Sequence, residues 1–175
     1  DEDAISALIP AMMAYIGTTD AELRDDLIYA AFATWVMKYD VLKPTELQKI
    51  FKELLSENYL FYKIGEKDSD SIFRRSFSAL WLPPILIKHR EETFLSESDI
   101  KGGLEKIILF LDEEKDRRGF VEGKGWAHAI AHAADALDDF ALCTELSEKE
   151  LKEILGVIQK SISISDYVHK THEVA

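Results

Sequence analysis

The chain has 175 residues, 47% of them apolar and 31% charged, a balance that belongs to globular proteins and suffices for one core. Its formal net charge is -12 at pH 7, and such an excess of carboxylates repels phosphate backbones and anionic lipid, so neither nucleic acid nor a membrane is an expected partner. A single cysteine, Cys143, excludes an intrachain disulfide and a cysteine zinc cage, and no apolar run approaches the ~20 residues of a bilayer span. The expectation is one cytoplasmic domain over residues 1–175.

Helical periodicity recurs along the chain and predicts helices near 3–16, 20–38, 44–56, 70–90, 97–114, 125–142 and 147–161. Thr19 with Glu22 has the form of a capping box at the start of the second, and Ser147 with Glu150 at the start of the last. Pro44 opens the third, where its missing amide costs nothing. Leu47, Ile50, Phe51, Leu54 and Leu55 then share one face. Pro83-Pro84 should kink or split the fourth, because each removes a donor and crowds the preceding turn. In the fifth, Ile100, Leu104, Ile107, Ile108 and Leu111 recur at helical spacing, as do Leu151, Ile154, Leu155, Ile158 and Ile162 in the last. Ser161–Ser165 alternates like a strand but has no second strand to pair with, so it reads as loop.

Helices begin near 20, 70 and 125, and their partners near 44, 97 and 147, a spacing of roughly 50 residues. The expected fold is therefore all-α: a right-handed α-α superhelix, or HEAT/armadillo-like solenoid, of about three antiparallel helix pairs plus an N-terminal helix. An irregular helical bundle would satisfy the same pattern.

Four stretches carry a resemblance. They are Ser76-Phe77-Ser78-Ala79-Leu80 after Arg74-Arg75, Glu114-Lys115-Asp116-Arg117-Arg118-Gly119, the segment Gly125-Trp126-Ala127-His128-Ala129-Ile130-Ala131-His132-Ala133-Ala134-Asp135, and the early run from Leu8 through Asp20-Ala21-Glu22-Leu23-Arg24-Asp25. Together they resemble the bacterial domain-of-unknown-function family numbered 2785. The resemblance covers nearly the whole chain. It implies a superhelical fold of helix pairs and no particular activity.

One constellation could carry chemistry. On a helix beginning at Gly125, at about 100° per residue, His128, His132, Asp135 and Asp139 fall within about 60° of one another. Trp126, Ile130 and Leu137 lie opposite, and intervening alanines keep the flanks thin. Histidines at i and i+4 can aim at one divalent metal ion, with Asp116 as a third ligand and Asp135 orienting His132 from behind. Position 129 is alanine, so the glutamate base of the helical zinc-protease motif is missing. Polar residues satisfying one another along a ridge would give the same pattern.

Arg24, Arg74 and Arg75 occupy similar depths in the first helices of their pairs. They could share a groove with the ridge, or pair with carboxylates such as Asp25, Asp26 and Asp70. Trp35, Trp81 and Trp126 are expected in the core, Cys143 is expected to be inert, and His169 and His172 read as tail residues. The leading expectation is a binding module for a protein, peptide or small molecule. Its groove would carry Arg74, Arg75, Asp116, Arg117, Trp126, His128, His132 and Asp135. A metal-dependent hydrolase on His128 and His132 is the alternative.

Overall fold

The computed structural model describes residues 2–163. Its helices are α1 (Glu2–Ala14), a continuous rod α2 over 22–39, α3 (Pro44–Leu54), α4 (Ser71–Leu80), α5 (Leu82–Glu91), α6 (Glu97–Glu113), α7 (Ala129–Ala141) and α8 (Glu148–Ile162). A two-stranded antiparallel hairpin, β1 (Phe120–Val121) and β2 (Gly125–Trp126), interrupts them before α7. The fold of the described residues is thus mostly helical. No helix among the described residues is long and apolar enough to cross a membrane. Ile164, Ser165, His169 and His172 lie outside the described residues.

Local chemistry sets most boundaries. The α2 rod is wound as a π-helix over Glu22–Tyr29, as an α-helix over Ala30–Thr34 and again as a π-helix over Trp35–Tyr39. Its start is not the expected Thr19/Glu22 box: the Asp20 carboxylate accepts from Leu23 N at 3.0 Å. The shorter acid at that position already satisfies an orphan donor. Ser147 and Glu150 do form their box at α8, and Ser96 and Asp99 form another at α6. The predicted fourth helix is split into α4 and α5 at Trp81, so that Pro83 and Pro84 sit in a first turn where no amide is needed.

The core is continuous, and α7 lies at its middle, packed on α4, α5, α6 and α8. Ala129, Ala131, Ala133 and Ala136 give α7 a thin buried face, with Leu137 and Phe140 completing it. Trp81 is fully buried and stacks on Phe32 at 3.9 Å between ring centres. Gly103 lets α6 close on α3 and α7: a Cβ there would lie 2.7 Å from Phe51 Cζ and 2.9 Å from Phe140 Cζ.

Two fully buried arginines tie loops to this core. Arg75 on α4 forms a two-pronged pair with Glu114, Nε to Oε2 at 2.5 Å and Nη2 to Oε1 at 3.0 Å, with neither side chain exposed. Its Nη1 reaches Ser71 Oγ at 2.7 Å and Tyr62 O at 3.1 Å, which satisfies a turn that has no ladder of its own. The second arginine, Arg24, anchors the hairpin and belongs to the site.

Candidate ligand-binding site

The residues 119–128 do not continue the helix expected from 125. Gly123 and Gly125 have φ of 71° and 78°, in the left-handed region that suits glycine, and they turn the chain into the hairpin. Phe120 faces Trp126 across it, and Ala127 N donates to Gly119 O at 2.7 Å. The turn is held from beneath by Arg24 in the π-helical stretch of α2. Its Nη2 donates to Lys124 O at 2.9 Å, Trp126 O at 3.3 Å and Asp25 Oδ2 at 3.0 Å, and its Nη1 to Thr18 O at 2.7 Å. The guanidinium carbon lies 4.3 Å and 4.7 Å from the ring centres of Phe73 and Phe77. A Cβ at position 125 would meet Ala21 Cβ at 2.8 Å, so hairpin and α2 touch backbone to side chain.

This anchoring leaves two aromatic rings outside. Trp126 is 39% exposed and Phe120 is 48% exposed, packed edge to face at 5.1 Å. The expectation that Trp126 is a core residue is therefore corrected, because a strand places it on the outer side of the hairpin. Trp35 packs against the core only partly buried, and Trp81 is fully inside.

His128 is also not helical. It has φ 47° and ψ 33°, and its carbonyl accepts the first helical bond from His132 N at 2.9 Å. The left-handed turn nonetheless brings the imidazoles together, by a route other than a shared helix face. His128 lies 4.3 Å from Trp126 and 5.9 Å from His132, centre to centre, so three rings run in series. His128 Nε2 is buried and has no hydrogen-bond partner.

His132 is oriented by Ser76 on α4, not by Asp135. Ser76 Oγ lies 2.8 Å from His132 Nδ1 and also bonds to Ala127 O, and the Phe77 ring meets the imidazole edge-on at 5.3 Å. Burial, with His128 and then Arg24 nearby, pushes the His132 pKa down to about 3.

Asp135 is exposed and makes no ion pair among the described residues. Partial desolvation of its carboxyl by neighbouring atoms raises its pKa, and Asp139 and Asp138 raise it further. Burial also raises Asp25, against the opposing pull of Arg24. Tyr29 on α2 is raised by burial and then by Asp135 and Asp139, so these groups face one another across the α2–α7 boundary. Asp139 itself is taken by Arg90 at 2.7 Å.

Other sequence-predicted site residues lie elsewhere. Arg75 is fully buried against Glu114 and lines no surface. Arg74 lies over Tyr59 and Tyr62 and donates to Ala14 O at 3.0 Å. Asp116 is 2% exposed, and Arg118 holds its carboxylate with Nε–Oδ1 at 2.8 Å and Nη2–Oδ2 at 2.6 Å. Arg117 is half-exposed beside it with no ion pair among the described residues. Among the described residues no three His, Cys, Asp or Glu side chains converge as metal ligands. Cys143 is buried, with its thiol pushed up to about 11, chiefly by burial.

Sequence reasoning did not place Ser76, Tyr29 or Phe120 at the site. The hydroxyl sits on the buried side of α4, where only the approach of α7 gives it a partner, and the two aromatics show no local signal beyond exposure.

No curated protein and no solved structure matches the chain. The model of the family described as "Protein of unknown function (DUF2785)" matches residues 60–174, which include the hairpin, both histidines and Ser76, and the chain belongs to that family.

Proposed function

We propose that the protein is a binding module, built as a superhelix of helix pairs, whose site is the face of Trp126, His128, Asp25 and Asp135 and whose ligand carries a positive charge. One observation supports this above the others: a fully buried arginine with four acceptors serves to fix a short hairpin whose two aromatic rings remain in solvent. Rigid exposed aromatics are favoured contact groups because they offer area with little entropy to lose.

The charges around them choose the sign. Asp26, Glu122, Asp135 and Asp138 are exposed and without ion pairs among the described residues, whereas Lys124 is paired with Asp70 and Arg90 with Asp139. Of the cations expected to line a groove, Arg24 and Arg75 are fully buried and Arg74 is held on Ala14 O, which leaves Arg117, half-exposed, against four unpaired carboxylates and moves the reading away from an anionic ligand. An indole face with carboxylates nearby suits an ammonium or guanidinium group.

The test is titration of the protein with short lysine- or arginine-bearing peptides and a glutamate-bearing control, followed by calorimetry at two salt concentrations. Binding of the cationic peptides alone, weakened by salt and reduced about 2- to 30-fold in Trp126→Ala, is the expected result. Equal binding of the glutamate peptide, or a Trp126→Ala variant that binds as well as the parent, would refute the proposal.

A second reading is a divalent metal ion at His128 and His132, the basis of a metal-dependent hydrolase. It is supported by the 5.9 Å approach of two imidazoles, one of them held neutral with Nε2 unpartnered. Chelator-treated protein titrated with zinc or nickel should then bind about one equivalent, and His132→Phe should bind none. Absence of uptake by the parent chain ends that reading.

A further inference from the structure

The hydrogen-bonding chemistry of the same face narrows which cation fits, and this inference rests on the cationic reading above. Ser76 is fully buried and its hydroxyl has two neighbours, Ala127 O and His132 Nδ1. A carbonyl oxygen can only accept, so the single hydroxyl proton goes to Ala127. The oxygen then presents a lone pair to Nδ1, and Nδ1 must carry the imidazole proton and donate it. This fixes the tautomer: His132 Nε2 is left as an acceptor, on the ring edge away from Ser76.

That Nε2 has no partner among the described residues and, unlike His128 Nε2, is not shut off from solvent. A flipped ring would turn a carbon toward Ser76 Oγ and lose the bond to Nδ1. Of the carboxylates of the face, Asp135 has no ion pair among the described residues while Asp25 is already held by Arg24 through Oδ2, and both are likewise acceptors when ionised. A face that offers acceptors beside an indole calls for a ligand with donors.

We propose that the bound cation is a primary ammonium or a guanidinium that donates one N–H to His132 Nε2, and that a quaternary ammonium of the same charge is discriminated against. A trimethylated nitrogen keeps the attraction to the indole and the carboxylates but has no N–H, so it would cover Nε2 and leave it unsatisfied.

The experiment uses the whole chain and two acetylated lysine peptide amides, identical except that one bears an ε-trimethyl group, measured by calorimetry. The unmethylated peptide should bind at least about tenfold more tightly. Equal affinities, or tighter binding of the trimethyl peptide, overturn the donor requirement and leave the cationic reading standing. Failure of both to bind overturns the cationic reading and this inference with it. In His132→Phe, which keeps an aromatic ring against Phe77 but removes the acceptor, the two affinities should converge. A tenfold preference that persists in that variant places the donor elsewhere and overturns the assignment. The comparison on the parent chain decides the question even if the variant does not fold.

Discussion

Replacing Arg24 with lysine keeps the charge but removes the fork, and the structure allows the cost to be worked out. Nη1 serves Thr18 O at 2.7 Å, while Nη2 serves Lys124 O, Trp126 O and Asp25 Oδ2. A single ammonium can replace one of these nitrogens but not both. At least one part-buried acceptor then loses its donor, at about 1–3 kcal/mol. Losing the flat cation over Phe73 and Phe77 adds roughly 0.5–2 kcal/mol. The total, about 1.5–5 kcal/mol, corresponds to a melting temperature lower by about 3–20 °C for a chain of this size. The loss should also be local. In hydrogen exchange, the amides of Lys124 and Ala127, bonded to Val121 O and Gly119 O, should lose protection more than those of α8. A melting temperature within about 2 °C of the parent, with unchanged exchange over 118–128, would show that something other than Arg24 holds the hairpin.

Two neighbouring glycines on α6 should respond in opposite ways to alanine. Gly103→Ala drives a methyl into Phe51 and Phe140 and should cost about 1–3 kcal/mol. Gly102→Ala has open space and should be neutral or stabilising by up to about 1 kcal/mol. Urea unfolding of both variants checks this, and similar midpoints would refute the packing argument. The third prediction concerns pH. The His132 pKa falls from 6.5 to about 3 on folding, so the unfolded chain takes up this proton first. Its contribution to stability is complete above 6.5 and declines as pH falls towards 3, so urea midpoints measured from pH 7 to 5 should fall less steeply in His132→Gln. Asp25 and Asp135, raised by burial, act in the opposite sense: what they contribute is present at lower pH and lost as pH rises through their folded values. Parallel profiles for parent and variant would remove His132 as the source of the slope.

The helices were legible in the sequence wherever an apolar stripe met a local stop signal. The expected helix at 97–114 is Glu97–Glu113, that at 147–161 is Glu148–Ile162, and Pro83-Pro84 split the fourth as their chemistry requires. The segment 119–128 was not legible, because Gly-Trp-Ala-His-Ala continues the helical spacing of the residues after it. Gly123 and Gly125 permit the turn locally, but what holds it is a guanidinium about a hundred positions earlier in the chain, and no local window contains that. The same limit applies to the arginines. Nothing at positions 24 and 75 distinguishes a buried anchor from a surface cation, since the carbonyls they hold belong to irregular loops. The proximity of His128 and His132 was legible, although a left-handed turn produces it. The partner that fixes the His132 tautomer lies on α4, 56 positions away, and depends on how α4 and α7 stack.

The tie between Arg24 and the hairpin also bears on the order of events during folding. A contact that spans 100 positions closes late, after the costly loop between its ends has been organised by nearer pairings. On the ribosome, α2 emerges long before the strand it will clasp, so Arg24 waits with its guanidinium in water until residues 118–128 are synthesised. The hairpin and the side chains around it should accordingly be among the last parts of the molecule to mature.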